Sequence, residues 1–223
     1  MSDPRAFLDA VRKGDASTVK AMLARDRGLA NARTEKGFSA VTVAAYHGHE
    51  DLLREILAHG PTMTVHEAAL AGDLARVREL VEKDPKLAND TSSPDGFPPL
   101  GLAAHRGRAE VVTYLLSKGA NVNFAAPGLG FTALTGAVAG GHAQAVRLLI
   151  EAGADVNHRY EDAQFTPLIT AAAEGDIAIV TMLLDAGADA NARTTDGKTP
   201  LSMAVRKGDA DVADLLRRRG AKA

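Results

Sequence analysis

Thr166-Pro167-Leu168-Ile169-Thr170-Ala171-Ala172, then Gly175-Asp176, Ile179-Val180, Leu183-Leu184, Gly187-Ala188 and Asn191, is the stretch that decides the fold. Thr166 suits the cap of a helix, and Pro167 suits its first position, where a missing N–H leaves no hydrogen bond unmade. The alanines that follow let a short helix pack close to its neighbours. Gly175 stops that helix by taking the left-handed conformation that a Cβ resists. Ile179, Val180, Leu183 and Leu184 give a second helix a broad apolar stripe, and Gly187 ends it. A polar stretch then leads to the next Thr-Pro, Thr199-Pro200.

Read outward, the same local pattern is headed by Gly14, Gly48, Gly72, Gly107, Gly141, Gly175 and Gly208, at intervals of 34, 24, 35, 34, 34 and 33 residues. A period near 33 means a stack of small units, none able to bury its apolar face alone. Such a chain folds as one elongated solenoid and works through its surface.

The unit resembles the ankyrin repeat. Pro98-Pro99-Leu100 with Ala103-Ala104, Gly107, Val111-Val112, Leu115-Leu116, Gly119-Ala120 and Asn123 carries the match. So do Thr132-Ala133-Leu134 with Gly141-His142, Gly153-Ala154 and Asn157, and Thr199-Pro200-Leu201 with Ala204, Gly208 and Gly220-Ala221. The resemblance implies a mainly all-α solenoid of helix-turn-helix units joined by short β-hairpin fingers. It divides the chain into seven repeats: 1–33, 34–61, 62–90, 91–123, 124–157, 158–191 and 192–223. The ends read as caps, because Asp3-Pro4 can open the first helix without a finger. Arg217 stands where earlier repeats place Leu57, Val81, Leu116, Ile150 and Leu184.

The 24-residue interval is the irregularity. The second repeat's last helix ends at His59-Gly60-Pro61 and the next helix starts around Met63 or Thr64, so no room remains for a finger. Gly14-Asp15, Asp26 and Leu29-Ala30-Asn31 return as Gly72-Asp73, Asp84 and Leu87-Ala88-Asn89. A duplicated two-repeat module, beginning with a fingerless cap-type repeat, explains both facts. Two consequences are open: a scar without a role, or a notch or change of curvature near Gly60 that helps admit a partner.

Net charge is −2, which gives no global pull toward nucleic acid or lipid. The basic clusters Arg217-Arg218-Arg219, Arg206-Lys207 and Arg106 with Arg108 read as solvated faces. With no cysteine, disulfides and thiolate metal sites are excluded. No apolar signal core or membrane-length stretch occurs, so cytoplasmic location is expected. Abundant alanine, and arginine in excess of lysine, point to a GC-rich bacterial genome.

No motif carries chemistry. His47-x-His49 mimics a ligand pair, but His49 and His142 fall where the family commonly has Gly-His, which makes them scaffold residues. His66 is placed at the phase of the family's inter-repeat histidine, where other repeats have Leu8, Thr42, Gly101, Thr135, Ile169 and Ser202. No zinc spacing, phosphate loop or nucleophile elbow is present. No enzyme activity, cofactor or metal is expected.

What remains is surface. The residues just before the Thr-Pro phase are Phe38, Thr62, Phe97, Phe131, Phe165 and Lys198, so four of the six phenylalanines share one phase. They either steady their own fingers or form an apolar ridge of anchors along the concave side. A second row, at the ends of the first helices, is Arg12-Lys13, Tyr46-His47, Leu70-Ala71, His105-Arg106, Ala139-Gly140, Ala173-Glu174 and Arg206-Lys207. Phe38, Tyr46, His47, Phe97, His105 and Arg106 flank the missing finger and form the expected centre, extended by Phe131, Phe165, Glu174, Arg206 and Lys207. The smooth Ala139-Gly140 step would let a partner's backbone approach closely. The function expected is a non-enzymatic, monomeric protein-binding module with a rigid concave surface. The alternative is an inhibitor or immunity-type protein that blocks a partner enzyme.

Overall fold

Ten of the fourteen helices begin on an Asp, Ser or Thr whose side chain accepts a backbone N–H of the first turn. That local capping makes the short segments between glycines helical. In the computed structural model, which describes residues 3–222, the helices form seven pairs. They are α1 (Pro4–Lys13) and α2 (Ala16–Arg25), α3 (Ala40–Tyr46) and α4 (Glu50–Ala58), and α5 (Val65–Ala71) and α6 (Leu74–Lys83). Then come α7 (Pro99–His105) and α8 (Ala109–Ser117), and α9 (Ala133–Ala139) and α10 (Ala143–Glu151). The last pairs are α11 (Pro167–Glu174) with α12 (Ile177–Asp185) and α13 (Pro200–Lys207) with α14 (Ala210–Arg218).

Each first helix packs on the first helix of the next pair, and the second helices pack likewise from α2 to α4 and from α6 through α14. Leu100, Leu134 and Leu168 in the first row, and Leu115, Leu149 and Leu183 in the second, are buried in one continuous core. No described helix is long and apolar enough to cross a membrane.

The fingers are less regular than the resemblance implies. Among the described residues only two isolated antiparallel bridges form, Arg33 with Ser39 and Tyr160 with Phe165. The fingers spend most of their few residues on turns, so ladders cannot extend. Neighbouring fingers nevertheless touch through backbone: Glu161 N–H donates to Leu129 C=O at 2.7 Å and Thr195 N–H to Ala163 C=O at 3.0 Å.

Between α4 and α5 there is no hairpin, as the spacing predicts. Thr64 caps α5 and shares a capping box with Glu67. The phase assigned here from sequence needs correcting by one residue. Cap and glycine are nine residues apart in Ser39–Gly48 and Thr132–Gly141 but eight in Thr64–Gly72. The residue before the cap is therefore buried Met63 and not Thr62. His66 takes the phase of the buried Leu100 and Leu134, and Glu67 takes the phase assigned to His66. His66 still links elements, through Nε2 to the Asp90 carbonyl at 2.9 Å.

The proposed duplication has a structural counterpart. After α2 and after α6 the chain makes a 3-10 turn, Arg27–Asn31 and Pro85–Asn89, each opened by an aspartate side chain, Asp26 or Asp84.

Asparagines after the first, third, fourth, fifth and sixth pairs then tie the stack. Asn123 Nδ2 donates to Gly153 C=O at 3.1 Å while its Oδ1 accepts from Asp155 N–H at 2.8 Å. Asn89, Asn157 and Asn191 make the same two bonds to the following unit, to Gly119 and Asn121, Gly187 and Asp189, and Gly220 and Lys222. Asn31, which reaches the turn after α4 where the finger is missing, makes one, from Thr62 N–H at 2.7 Å. Replacing Asn123 or Asn157 by Ala should lower stability by about 1–3 kcal/mol, two modest hydrogen bonds partly replaced by water. Asn31→Ala should cost less. Urea denaturation of the three variants checks the order, and equal losses at Asn31 and Asn123 would contradict it.

Candidate partner-binding groove

Phe38, Phe97 and Phe131 each precede the cap of a first helix, at α3, α7 and α9. Tyr46, His105 and Ala139 lie at the far ends of those same helices. Between these two rows runs a groove of about 440 Å³, floored by Gly101, Leu102 and Gly136. Its polar lining is limited to Asp95, Thr132 and His105 beside the Tyr46 hydroxyl. The three phenylalanines are half-buried, so each packs with part of its ring and opens the rest.

No residue of α5 lines this groove. The second and fourth pairs meet across the fingerless third. The Tyr46 hydroxyl donates to the Asp95 carboxylate, 49 residues on. The Phe38 and Tyr46 rings meet edge-on at 6.2 Å, and Tyr46 and His105 at 6.5 Å. Partial burial and the Asp95 charge push the Tyr46 hydroxyl pKa up, which keeps its proton in place. Burial first, then the Arg106 charge, pushes the His105 imidazole down, so that wall of the groove is neutral at pH 7.

A second link closes the other side. Glu50, at the start of α4, accepts from Arg106 Nη2 at 2.6 Å and from Arg108 Nη2 at 2.9 Å on both oxygens. Burial pushes the Glu50 carboxyl up, but the bonds from Arg108 and Arg106 outweigh it and hold the pKa below the ordinary value. Arg106 is thus a clamp residue, with its side chain only 19% exposed.

Beside the groove lies a second cavity of about 400 Å³, in the place of the missing finger. Thr42, Arg33, His66, Glu67, Asp90 and Ser93 line it, and it shares Phe38, Tyr46, Asp95 and Leu102 with the groove. Glu67 is buried there, 2.8 Å from Arg33 Nη1.

The groove therefore gathers Phe38, Tyr46, Phe97, His105 and Phe131 and leaves the other expected residues outside. His47 bonds Val43 C=O through Nδ1 at 2.9 Å and stacks on His49. Phe165 packs on Tyr160, which also contacts Phe131 at 5.1 Å. Glu174, Arg206 and Lys207 are exposed at the ends of α11 and α13, where Lys207 Nζ donates to the Glu174 carbonyl. One member of the helix-end row is not open surface. Leu70 is buried, because α5 runs one residue off phase. Ala139 and Gly140 are exposed, and a Cβ on Gly140 would lie 2.5 Å from the His142 ring. Asp95, Gly101, Leu102 and Gly136 were not expected. A glycine inside a short helix, costly by about 1 kcal/mol against alanine, is the signal that could have found Gly101 and Gly136.

Patterns of one family match the chain three times: ankyrin repeats (3 copies) over residues 65–160, ankyrin repeats (many copies) over 149–204, and ankyrin repeat over 196–223. The chain belongs to the ankyrin repeat family. The matches begin at the first residue of α5, and the two helix pairs before it continue the same ankyrin stacking. Ankyrin repeats indicate a protein–protein interaction module.

The buried Glu67 offers a test of the cavity wall. Burial raises its pKa, but the Thr64 N–H and the Arg33 guanidinium outweigh that and hold it below 4.5. A depressed folded pKa contributes stability above the unfolded value and loses it as pH falls through the folded one. Glu67→Gln should thus cost about 1–3 kcal/mol at pH 7, the loss of a charge-assisted bond. The gap to wild type should narrow as pH drops below 4.5, read by urea denaturation at several pH values. A gap independent of pH would mean the charge of Glu67 adds nothing.

Proposed function

We propose that this ankyrin repeat protein is a non-enzymatic binding module that seats a partner protein in the groove of Phe38, Tyr46, Phe97, His105 and Phe131. The observation that carries the reading is the groove itself: half-buried aromatic rings around an apolar space that none of this chain's side chains fills. Sites of this size, mostly apolar with a few placed polar groups, are typical binding pockets. Aromatic anchors dominate interface energetics.

The supporting frame is stiff before any partner arrives. The asparagine ties, the Tyr46–Asp95 bond and the Glu50 clamp hold the walls in one arrangement, so little ordering cost is charged against affinity.

Phe97→Ala and His105→Ala separate an anchor from a prop. For an anchor, truncation should weaken partner binding by about 2 kcal/mol, measured by titration against the partner isolated from the native host. For a prop, the loss should appear in unfolding, at about 1–3 kcal/mol, with affinity intact. Wild-type affinity in both variants would remove the groove from consideration.

A further inference from the structure

The groove and the cavity beside it differ in charge in a way that defines what can occupy both. Three carboxylates, Glu67, Asp90 and Asp95, line the gap left by the missing finger, and a fourth, Glu50, links α4 to the fourth pair. Two are neutralised within the fold, Glu67 by Arg33 and Glu50 by Arg106 and Arg108. The other two, Asp90 and Asp95, have no lysine or arginine partner among the described residues. Asp95 accepts only neutral donors, the Tyr46 and Ser93 hydroxyls and the Phe97 N–H. Asp90 accepts the Ser92 N–H and hydroxyl, at 3.0 and 2.8 Å. His66 Nε2 lies 3.9 Å from the Asp90 carboxylate but is already bonded to the Asp90 carbonyl. Arg33 also lines the cavity, and its Nη1 pairs with Glu67 and donates to the Gly37 carbonyl at 3.0 Å.

A carboxylate has about four acceptor sites, so both Asp90 and Asp95 keep lone pairs free. Asp90 is 28% exposed and Asp95 half-buried, where a charge is less screened than in open water. Two uncompensated negative charges therefore face a cavity with room for one long side chain, directly beside an apolar groove. A bare metal ion does not suit it. Calcium wants about six to eight oxygens, and no group of three metal-ligating residues occurs among the described residues.

We propose that the partner presents an extended segment with an aliphatic or aromatic residue beside a lysine or arginine. The apolar side chain fills the groove, and the cation enters the adjacent cavity to pair with Asp95 and Asp90. The two spaces share the wall of Phe38, Tyr46, Asp95 and Leu102, so neighbouring residues of one segment reach both. This rests on the reading of the groove as the binding site and adds the chemistry of what it selects.

A phage-displayed random peptide library, selected on the immobilised full chain, tests it. Enriched peptides should carry Lys or Arg next to Leu, Ile, Met or Phe. For one such peptide, Asp95→Asn and Asp90→Asn should each raise Kd about tenfold, the size of one charge-assisted hydrogen bond. Changing the peptide's basic residue to Gln should cost the same in wild type, but much less in Asp95→Asn, since the pair is already broken. Asn keeps the shape of Asp, and thermal unfolding of each variant confirms that it folds. Enriched peptides without a basic neighbour, or a Gln penalty unchanged in Asp95→Asn, overturn the proposal. If Phe131→Ala still abolishes binding in that case, the groove reading survives. Phe97→Ala and Phe131→Ala that bind like wild type, or a library with no binder at all, overturn both.

Discussion

The amide of one asparagine, donating and accepting at once, fixes the distance between successive units from the third to the seventh. Asn123 and Asn157 each reach both a carbonyl and an N–H of the next unit, and the partners are 30 and 32 residues ahead in both cases. An insertion or deletion between an asparagine and its targets would break both bonds at once. The near-constant repeat length is thus a geometric condition that the next helix pair must meet before its apolar face can be buried.

A second phase sets a choice between capping and tying. The residue after each helix-ending glycine is Asp15, His49, Asp73, Arg108, His142, Asp176 or Asp209. The aspartates cap their own second helix. His49, Arg108 and His142 leave that helix without a side-chain cap and bond the last turn of an earlier first helix, at Arg12, Leu70 and His105. Helix carbonyls at that end lack intrahelical partners, so a donor there replaces a bond that water would otherwise make. The glycine that ends that earlier helix is then held twice over. Gly107 has a φ of +65°, and a Cβ on it would meet the His142 ring at 2.5 Å.

The repeat, its helices and the absent finger were legible because each depends on local chemistry: caps, helix-ending glycines and a period. The groove was half legible. One phase carried Phe38, Phe97 and Phe131, and one carried Tyr46 and His105. Its remaining members depend on contacts between units that no single period encodes. Asp95 reads locally as part of a finger turn, and only the closure of the second pair on the fourth brings it to Tyr46. The error at His66 has the same origin. Counting back from Gly72 assumes a helix length that Thr64 shortens by one residue.

The missing finger is where these constraints meet. At that junction Asn31 holds only Thr62, and no asparagine follows the second pair to tie it to the third. The contacts that replace it bypass the third pair, from Tyr46 to Asp95 and from Glu50 to Arg106 and Arg108. Both are polar links, and both bring side chains of non-adjacent units to the same surface. A regular array would have placed a finger between Phe38 and Phe97 and kept their rings in separate troughs. Its omission joins the troughs into one groove and opens beside it a cavity with two unneutralised carboxylates. The irregular spacing thus brings half-buried aromatic rings and unneutralised carboxylates side by side on this ankyrin stack.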